Sequence, residues 1–445
     1  MFQRLLFPFY SLFSTLNYRF SLRFTQEGKF CSGLLFASAV IGIDTRQTLA
    51  YQIFTLLLAI FLCSFFYSLF FRGNFRVKRT LPQYATAGKT FTYKIDIETL
   101  GNKQEKGLEI IEVLRDQRPT LNEFLNRKEP DEQQRNIFDR IFLFYRWVWL
   151  MNKNSLGINP KPQAVALLPG NVITVSFEVT ASLRGKLEFQ GIYIARKDPF
   201  GLFRALIKIS QVQSMLVLPE RFIVPNIPMS GGRKDQLGGV TLASSVGDSE
   251  EFYSMRDYVH GDPVRNIDWK SWAKTGKPII REYQEEFFSR KALILDTYSG
   301  EKGEKNFEIA VSIAASYVVS IEDQESLLDL MFVEEDVYCF TSGRNTAHKS
   351  NALELLAGVV PSNNTAFPLL SGSVKKRSSI LNGIICVFSH WDKERKELIQ
   401  FLQSSGSPLK VFLVVEEDEK NKIDSKGLNI TIIGNNSIRE CLLNK

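Results

Sequence analysis

Leu49 to Phe71 reads LAYQIFTLLLAIFLCSFFYSLFF, 23 consecutive residues without a charge. As a helix rising 1.5 Å per residue the run covers about 34 Å, enough to cross the hydrocarbon of a bilayer. A surface helix of a soluble protein would carry charges on its outer face, and this run carries none. Phe30 to Ile43 (FCSGLLFASAVIGI) has 14 residues, short for a span taken alone. Arg4, Arg19, Arg23 and Lys29 precede it, Arg72, Arg76, Lys78 and Arg79 follow the second run, and only Arg46 is basic between them. The positive-inside rule then predicts a membrane hairpin of two helices, about 30–43 and 49–71, with both flanks cytoplasmic and Asp44 to Thr48 on the far side. Snorkelling of Lys29 helps the short first helix to reach across. A cleaved signal peptide is the competing interpretation; it is disfavoured because the first apolar run begins late and a second follows it.

Residues 75–224 change period. FTYKIDIETL, VITVSFEVTA and KLEFQGIYIAR alternate apolar with polar side chains between Gly, Asn and Pro, as half-buried antiparallel strands do, and predict a β-sandwich. The stretch 120–160 interrupts it. IFDRIFLFYRWVWLMNKN is aromatic and sparsely charged, and two readings fit: an interfacial helix lying on the bilayer with Arg140 and Arg146 outward, or a helix packed on the sandwich. Lys197 to Arg204 (KDPFGLFR) is a turn whose Asp198 and Pro199 initiate, whose Gly201 relieves the backbone, and whose Phe200, Leu202 and Phe203 dock. Residues 225–249 have the Gly, Pro and Ser content of a linker, and GGRKDQLGG lacks the Gly-Lys-Ser/Thr ending of a phosphate loop.

From residue 250 onward the pattern changes again. Within Glu250 to Glu286, Asp262 followed by Pro263 predicts a helix start and Gly276 a left-handed cap, giving a helix of about Pro263 to Thr275. Arg265, Asp268, Trp269 and Trp272 share one face of that helix, a face expected to be covered. Farther on, KALILD, LLDLMFV, GIICVFS, LKVFLVVE and LNITIIG alternate with helical segments, which predicts a mostly parallel sheet with helices on both faces. Ligands of such sheets sit at the carboxyl ends of strands, which places Asp296 and the residues after Ser389 where a site is expected.

The 445 residues, 44% hydrophobic and 23% charged, suffice for two or three cores and are not the composition of disorder. The net charge of +7 is concentrated beside apolar runs, so it does not call for nucleic acid. Five cysteines without paired spacing give neither a disulfide framework nor a zinc pattern. His260, His348 and His390 lie in separate segments, with no Gly-x-Ser-x-Gly elbow or H-E-x-x-H pair. Cys386 sits inside an apolar strand and reads as core, and Glu285 and Glu286 point to opposite faces of a strand.

The stretch EEFYSMRDYVHGDPVRNIDWKSWAKTGKPIIREYQEE, the upstream DPFGLFR turn, the N-terminal hairpin and the α/β end together resemble the bacterial family called domain of unknown function 58. The resemblance rests most specifically on Glu251, Phe252, Arg256, Tyr258, Gly261, Asp262, Arg265, Ile267, Asp268, Trp269, Ala273, Lys274, Gly276 and Arg281. It implies a membrane-anchored protein of the bacterial inner (cytoplasmic) membrane whose C-terminal domain is von Willebrand factor A-like, a Rossmann-like α/β fold. It further implies a MoxR-type AAA+ ATPase as partner and no enzymatic activity of its own. Type A domains that hold a divalent cation such as Mg use D-x-S-x-S; here Asp296 is followed by Thr297, Tyr298, Ser299 and Gly300, so Tyr298 and Gly300 stand where serines are needed. Asp296 is thus the one candidate metal ligand, in a degenerate site, and no cofactor is otherwise expected.

The expected architecture is therefore a membrane hairpin (1–74), a sandwich-like domain (75–224), a linker (225–249) and the signature segment with its α/β domain (250–445). The expected function is a cytoplasm-facing adaptor that acts with the ATPase in assembly of envelope or metalloprotein complexes. Two alternatives stand beside it: a metal-dependent hydrolase built on the Asp296 loop, and a lipid-contacting structural membrane protein. Within the signature, Arg256, Asp262, Arg265, Asp268 and Arg281 are expected to form one ion network beneath Trp269 and Trp272, with docking of a partner as the competing role.

Overall fold

The computed structural model describes residues 2–41, 48–102, 104–130, 132–225, 251–262, 264–284, 289–298, 303–320, 326–334, 336–342, 346–362, 366–417, 420, 423, 428–434 and 438–443. The linker between Pro225 and Glu251, the inter-helix link 42–47, Pro263, the Glu285–Glu286 pair and Ser299–Gly300 lie outside the described residues. The chain divides into two compact units, one of Met1–Glu220 with Leu353–Gly358, the other of Arg221–Ala352 with Val359–Lys445.

The first unit begins with three helices, α1 (Phe2–Arg23), α2 (Gln26–Ile41) and α3 (Thr48–Leu69). Leu49–Leu69 is the one described helix long and apolar enough to cross a membrane, and almost none of it is buried inside the protein. Helix α2, 16 residues long, packs along α3. Helix α1 was not anticipated, because Pro8 and scattered polar residues blur its period.

Eight strands follow: β1 (Phe75–Thr80), β2 (Tyr84–Thr86), β3 (Thr90–Thr99), β4 (Glu105–Leu114), β5 (Gln163–Leu167), β6 (Val172–Thr180), β7 (Gly185–Lys197) and β8 (Arg204–Leu218). They form two sheets, ordered β1-β3-β6 and β2-β8-β7-β4-β5. All pairings are antiparallel except β2 with β8. Tyr93, Ile95 and Phe177 from the first sheet and Ile110, Phe189, Ile194 and Val217 from the second share one core, which makes the pair of sheets a sandwich. Arg79 bridges it. Its guanidinium donates to both oxygens of Glu112 on the opposite sheet at 3.1 and 2.6 Å, and Tyr93 Oη donates to the same carboxylate at 3.0 Å. Arg79 is therefore a core residue rather than one of the headgroup-facing cations that its position after the apolar run suggested. The cost of burying the ions is offset because the pair meets face to face and Glu112 takes a further bond.

Between β4 and β5 the chain forms α4 (Leu121–Asn126), α5 (Ile137–Phe142) and α6 (Phe144–Lys153). Thr120 caps α4 in a reciprocal box with Glu123, and Leu143, at φ 56°, breaks α5 from α6. Arg146, expected outward, is buried: it donates to Glu132 at 2.7 Å and to the Phe124 carbonyl at 3.1 Å. Its partners come from residues earlier in the insertion, so helical spacing alone gave the wrong side. Trp147 and Leu150 pack with Phe124 and with Tyr10 of α1, whose hydroxyl donates to the Phe142 carbonyl at 2.8 Å. Ile137, Phe138 and Ile141 on α5 remain exposed.

The DPFGLFR turn connects β7 to β8 and seats the helices. Asp198 closes it by accepting from the backbone N–H groups of Phe200 and Phe203 at 3.0 and 2.6 Å. Leu202 and Phe203 are buried, whereas Phe200 points to solvent, contrary to expectation. Phe203 packs against Phe24 at 4.6 Å and Phe61 at 5.3 Å between ring centroids, and Thr25 N–H donates to the Leu202 carbonyl at 3.1 Å. At Gly28 a β-carbon would lie 2.1 Å from the Leu202 carbonyl oxygen, so only glycine lets α2 come this close.

The second unit opens with a hairpin, β9 (Glu251–Asp257) and β10 (Ile279–Gln284), enclosing the short helix α7 (Trp269–Thr275). A six-stranded sheet follows, from β11 (Ser289–Leu295), β12 (Ser326–Val333), β13 (Val337–Ser342), β14 (Gly383–Phe388), β15 (Leu409–Val415) and β16 (Ile430–Gly434). Its order is β13-β12-β11-β14-β15-β16, with all neighbours parallel except the β12–β13 edge pair. The described helices that follow are α8 (Glu304–Ser320), α9 (Thr346–Gly358), whose Leu353–Gly358 half belongs to the first unit, α10 (Phe367–Arg377), α11 (Lys393–Ser404) and α12 (Ile438–Leu443). The doubly wound arrangement follows from continuous apolar strands such as β14, every residue of which is buried, Cys386 among them.

Candidate functional site

Two places gather the residues that the sequence singled out. The first is the hairpin with α7. A single turn of 3-10 helix, Val264–Asn266, precedes α7, and the true N-cap is Asp268: its Oδ1 accepts from Lys270 N–H at 3.0 Å and Ser271 N–H at 3.1 Å. Asp262, expected as the cap, serves the loop instead. It accepts from Val259 N–H at 2.9 Å and from two nitrogens of Arg256 at 2.7 and 2.8 Å. Those Arg256 bonds, then the Val259 bond, hold the Asp262 carboxyl down at about 2. Gly276, at φ 72°, closes α7 as expected, donating to the Trp272 carbonyl at 2.9 Å.

The single ion network resolves into two pairs. Arg256 holds Asp262, and Arg281 Nε donates to Asp268 Oδ2 at 2.8 Å, lowering the Asp268 carboxyl below its usual range. Arg265 and Lys274 are exposed, and neither is in an ion pair among the described residues. Tyr258 donates its backbone N–H to Pro278 O at 3.0 Å, and Gly261 turns the loop at φ 111°. Glu251 and Phe252 lie on β9 in register with Gln284 and Tyr283. Trp269 and Trp272 stack on each other, with centroids 5.3 Å apart and planes 20° apart. The face is covered only in part: Asp268 is buried and Trp272 half-buried, but Trp269, on a two-turn helix beside a two-stranded ribbon, is 62% exposed.

The second place is the carboxyl end of β11. Asp296 is buried, and Arg395 of α11 donates to it through Nε at 2.7 Å and Nη2 at 3.2 Å. Asp392 caps α11, accepting Arg395 N–H at 3.0 Å, and also pairs with the Arg395 side chain. The guanidinium lies 4.2 Å from the Phe367 ring centroid and 5.3 Å from that of Tyr298. Burial pushes the Asp296 carboxyl above its ordinary value, with Arg395 opposing. Burial would lower Arg395, but its bonds to Asp296 and the charges of both aspartates hold it above its ordinary value. Thr297 Oγ1 is bonded to the Val333 carbonyl and, at 2.7 Å, to Ser362 Oγ. These residues do not fit a divalent cation: a guanidinium takes both oxygens of Asp296, and the Thr297 hydroxyl is spent on the protein. Among the described residues no three His, Cys, Asp or Glu side chains converge on one point.

Sequence reasoning missed Arg395. One signal was available: a cation in the first turn of a helix opposes the helix dipole, and such a residue calls for a nearby carboxylate.

Comparison with known proteins gives a curated relative, likenesses to solved structures and a family match. A curated relative is the uncharacterized protein YeaD of Bacillus subtilis (strain 168), 23% identical over 189 residues, which are 42% of this chain and 45% of the relative. The chain thus matches less than half of that relative's length. Among solved structures, mussel byssus proximal thread matrix protein 1, with a zinc-occupied MIDAS motif, is 10% identical, covering 35% of this chain and 46% of its own, at a TM-score of 0.27. The Escherichia coli alpha-2-macroglobulin fragment from domain MG7 to the C-terminus is 15% identical, covering 36% of this chain and 21% of its own, at a TM-score of 0.20. Overlaps this low carry no argument about fold or activity. Residues 254–419, from the tryptophan-bearing hairpin through most of the doubly wound sheet, match the family described as protein of unknown function DUF58.

Proposed function

We propose that this chain is a membrane-anchored adaptor whose α/β unit faces the cytoplasm and presents the hairpin and α7 to a MoxR-type AAA+ ATPase. The observation that carries the proposal is the stacked Trp269–Trp272 pair standing on a fixed base. A caps-and-pairs scaffold, Asp268 with Arg281 below and Gly276 at the end, holds a large aromatic surface toward solvent. Solvent-exposed tryptophan flanked by arginine is the composition of interface hot spots, and a rigid display lowers the entropy cost of docking. A von Willebrand factor A-like relationship for the six-stranded sheet accords with its strand order and antiparallel edge. The hydrolase alternative has no free carboxylate at Asp296 to build on.

The test is capture of the ATPase by the full-length chain in mild detergent. Trp269→Ala is expected to weaken capture by more than tenfold, about 1.4 kcal/mol or more, while melting stays within a few degrees because the side chain is exposed. Unchanged capture by a normally folded Trp269→Ala chain would overturn the proposal.

A further inference from the structure

We propose that the outward face of α1, continued by α5, rests on the lipid of the bilayer that α3 crosses, as a second membrane contact. The inference rests on α3 being a membrane-spanning helix and adds a surface to that anchor. Apolar residues occupy two sides of α1. Phe7 and Tyr10 pack against the aromatic insertion of the sandwich. Leu5, Phe9, Leu12, Phe13, Leu16 and Phe20, at steps of four, three, one, three and four residues, share the other side and are 40% to 67% exposed.

The polarity of α1 is inverted relative to a helix on a water-facing surface. Its hydroxyls turn toward protein: Ser14 Oγ accepts from Trp147 Nε1 at 3.1 Å, and Thr15 Oγ1 accepts from Arg118. Its large apolar side chains turn away from protein, the opposite of what water selects. The charges of α1 are Arg4, Arg19 and Arg23, all close to its ends, and it has no Asp or Glu. Lipid against residues 5–18 therefore dehydrates no charge of the helix itself, and the arginine stems let their heads reach the headgroups. Two connections decide for lipid. Phe20 stacks on Phe24 with ring centroids 3.8 Å apart, and Phe24 lies 6.4 Å from Phe61 of α3, so the stripe runs into the spanning helix. Nearer the start of α1, the Phe9 ring lies 5.7 Å from that of Tyr10, which meets Phe144 at 6.0 Å and donates to the Phe142 carbonyl at 2.8 Å. From there the patch continues into Ile137, Phe138 and Ile141, with Asp139 and Arg140 on the other side of α5. An apolar face continuous with a membrane span meets the same solvent as the span.

The test is fluorescence of the full-length chain reconstituted in phosphatidylcholine liposomes. Leu12→Trp and Ile141→Trp each add an emission at an exposed position, where the larger side chain leaves the packing untouched. Acyl chains carrying bromine are expected to reduce that added emission by about half, and aqueous iodide to leave it unchanged. Quenching by iodide at either position would overturn the surface. Protection from both quenchers would overturn it too, by assigning the face to a second copy of the chain. A chain that stays in membranes through alkaline carbonate yet is quenched by iodide loses this inference alone, whereas release by carbonate removes the anchor reading with it.

Discussion

At Arg395 a whole side chain has been taken out of water to serve one carboxylate. It is fully buried, bonded to Asp296 at 2.7 and 3.2 Å, capped by Asp392 and stacked near two aromatic rings. Pairs of this kind contribute little beyond an apolar replacement, but removing one member strands the other without a partner. Arg395→Ala is therefore expected to destabilise the second unit by about 3–5 kcal/mol in urea unfolding, and a loss below about 1 kcal/mol would contradict the pairing. Arg79 and Glu112 make the equivalent pair between the two sheets of the sandwich. Neither pair was legible, because Asp296 and Arg395 are 99 residues apart and Arg79 and Glu112 are 33 apart. Residue type reveals a charge but not its partner. Asp296 was found from its position after an apolar strand; the group that occupies it was not.

Among the elements, those defined by local period were legible and those defined by partners were not. The strands β3, β6 and β7 and the alternation of the C-terminal unit follow from side-chain spacing, which a sheet imposes residue by residue. Strand β9 was missed: its identity comes from pairing with β10, more than twenty residues on, and β8 was missed although it runs for 15 residues. Helix α7 was predicted too long because Asp262-Pro263 looks like a helix start; the loop takes Asp262 for Arg256, and Asp268 begins the helix. The DPFGLFR turn was recognised as a docking turn, but its target, α2 and α3, came only from the fold. That target gives a prediction for the element. In Gly28→Ala the new methyl meets the Leu202 carbonyl oxygen, a backbone atom that cannot swing away, so α2 is forced off the turn. The expected result is a loss of about 1–3 kcal/mol in thermal unfolding of the detergent-solubilised chain, of the size seen for overpacking. Melting unchanged from the parent chain would show that α2 does not sit there.

For the molecule as a whole, the decisive element is still the uncharged run at 49–69, almost none of which is buried inside the protein. An exposed apolar surface of that extent points to membrane association. The chain is accordingly expected to stay in the membrane pellet after alkaline carbonate extraction, and recovery in the supernatant would show that α3 is covered by protein instead. By itself the sequence determined the apolar span, the alternating strands, the α/β succession and the glycine that ends α7, because each is written in spacing between near neighbours. Only the tertiary structure decided that Arg395 fills the Asp296 site, that Arg79 lies between sheets, that Trp269 faces solvent and that a β-turn seats α2 and α3. Those outcomes depend on which distant segments the topology brings within a few ångströms, and no periodicity in the chain records that.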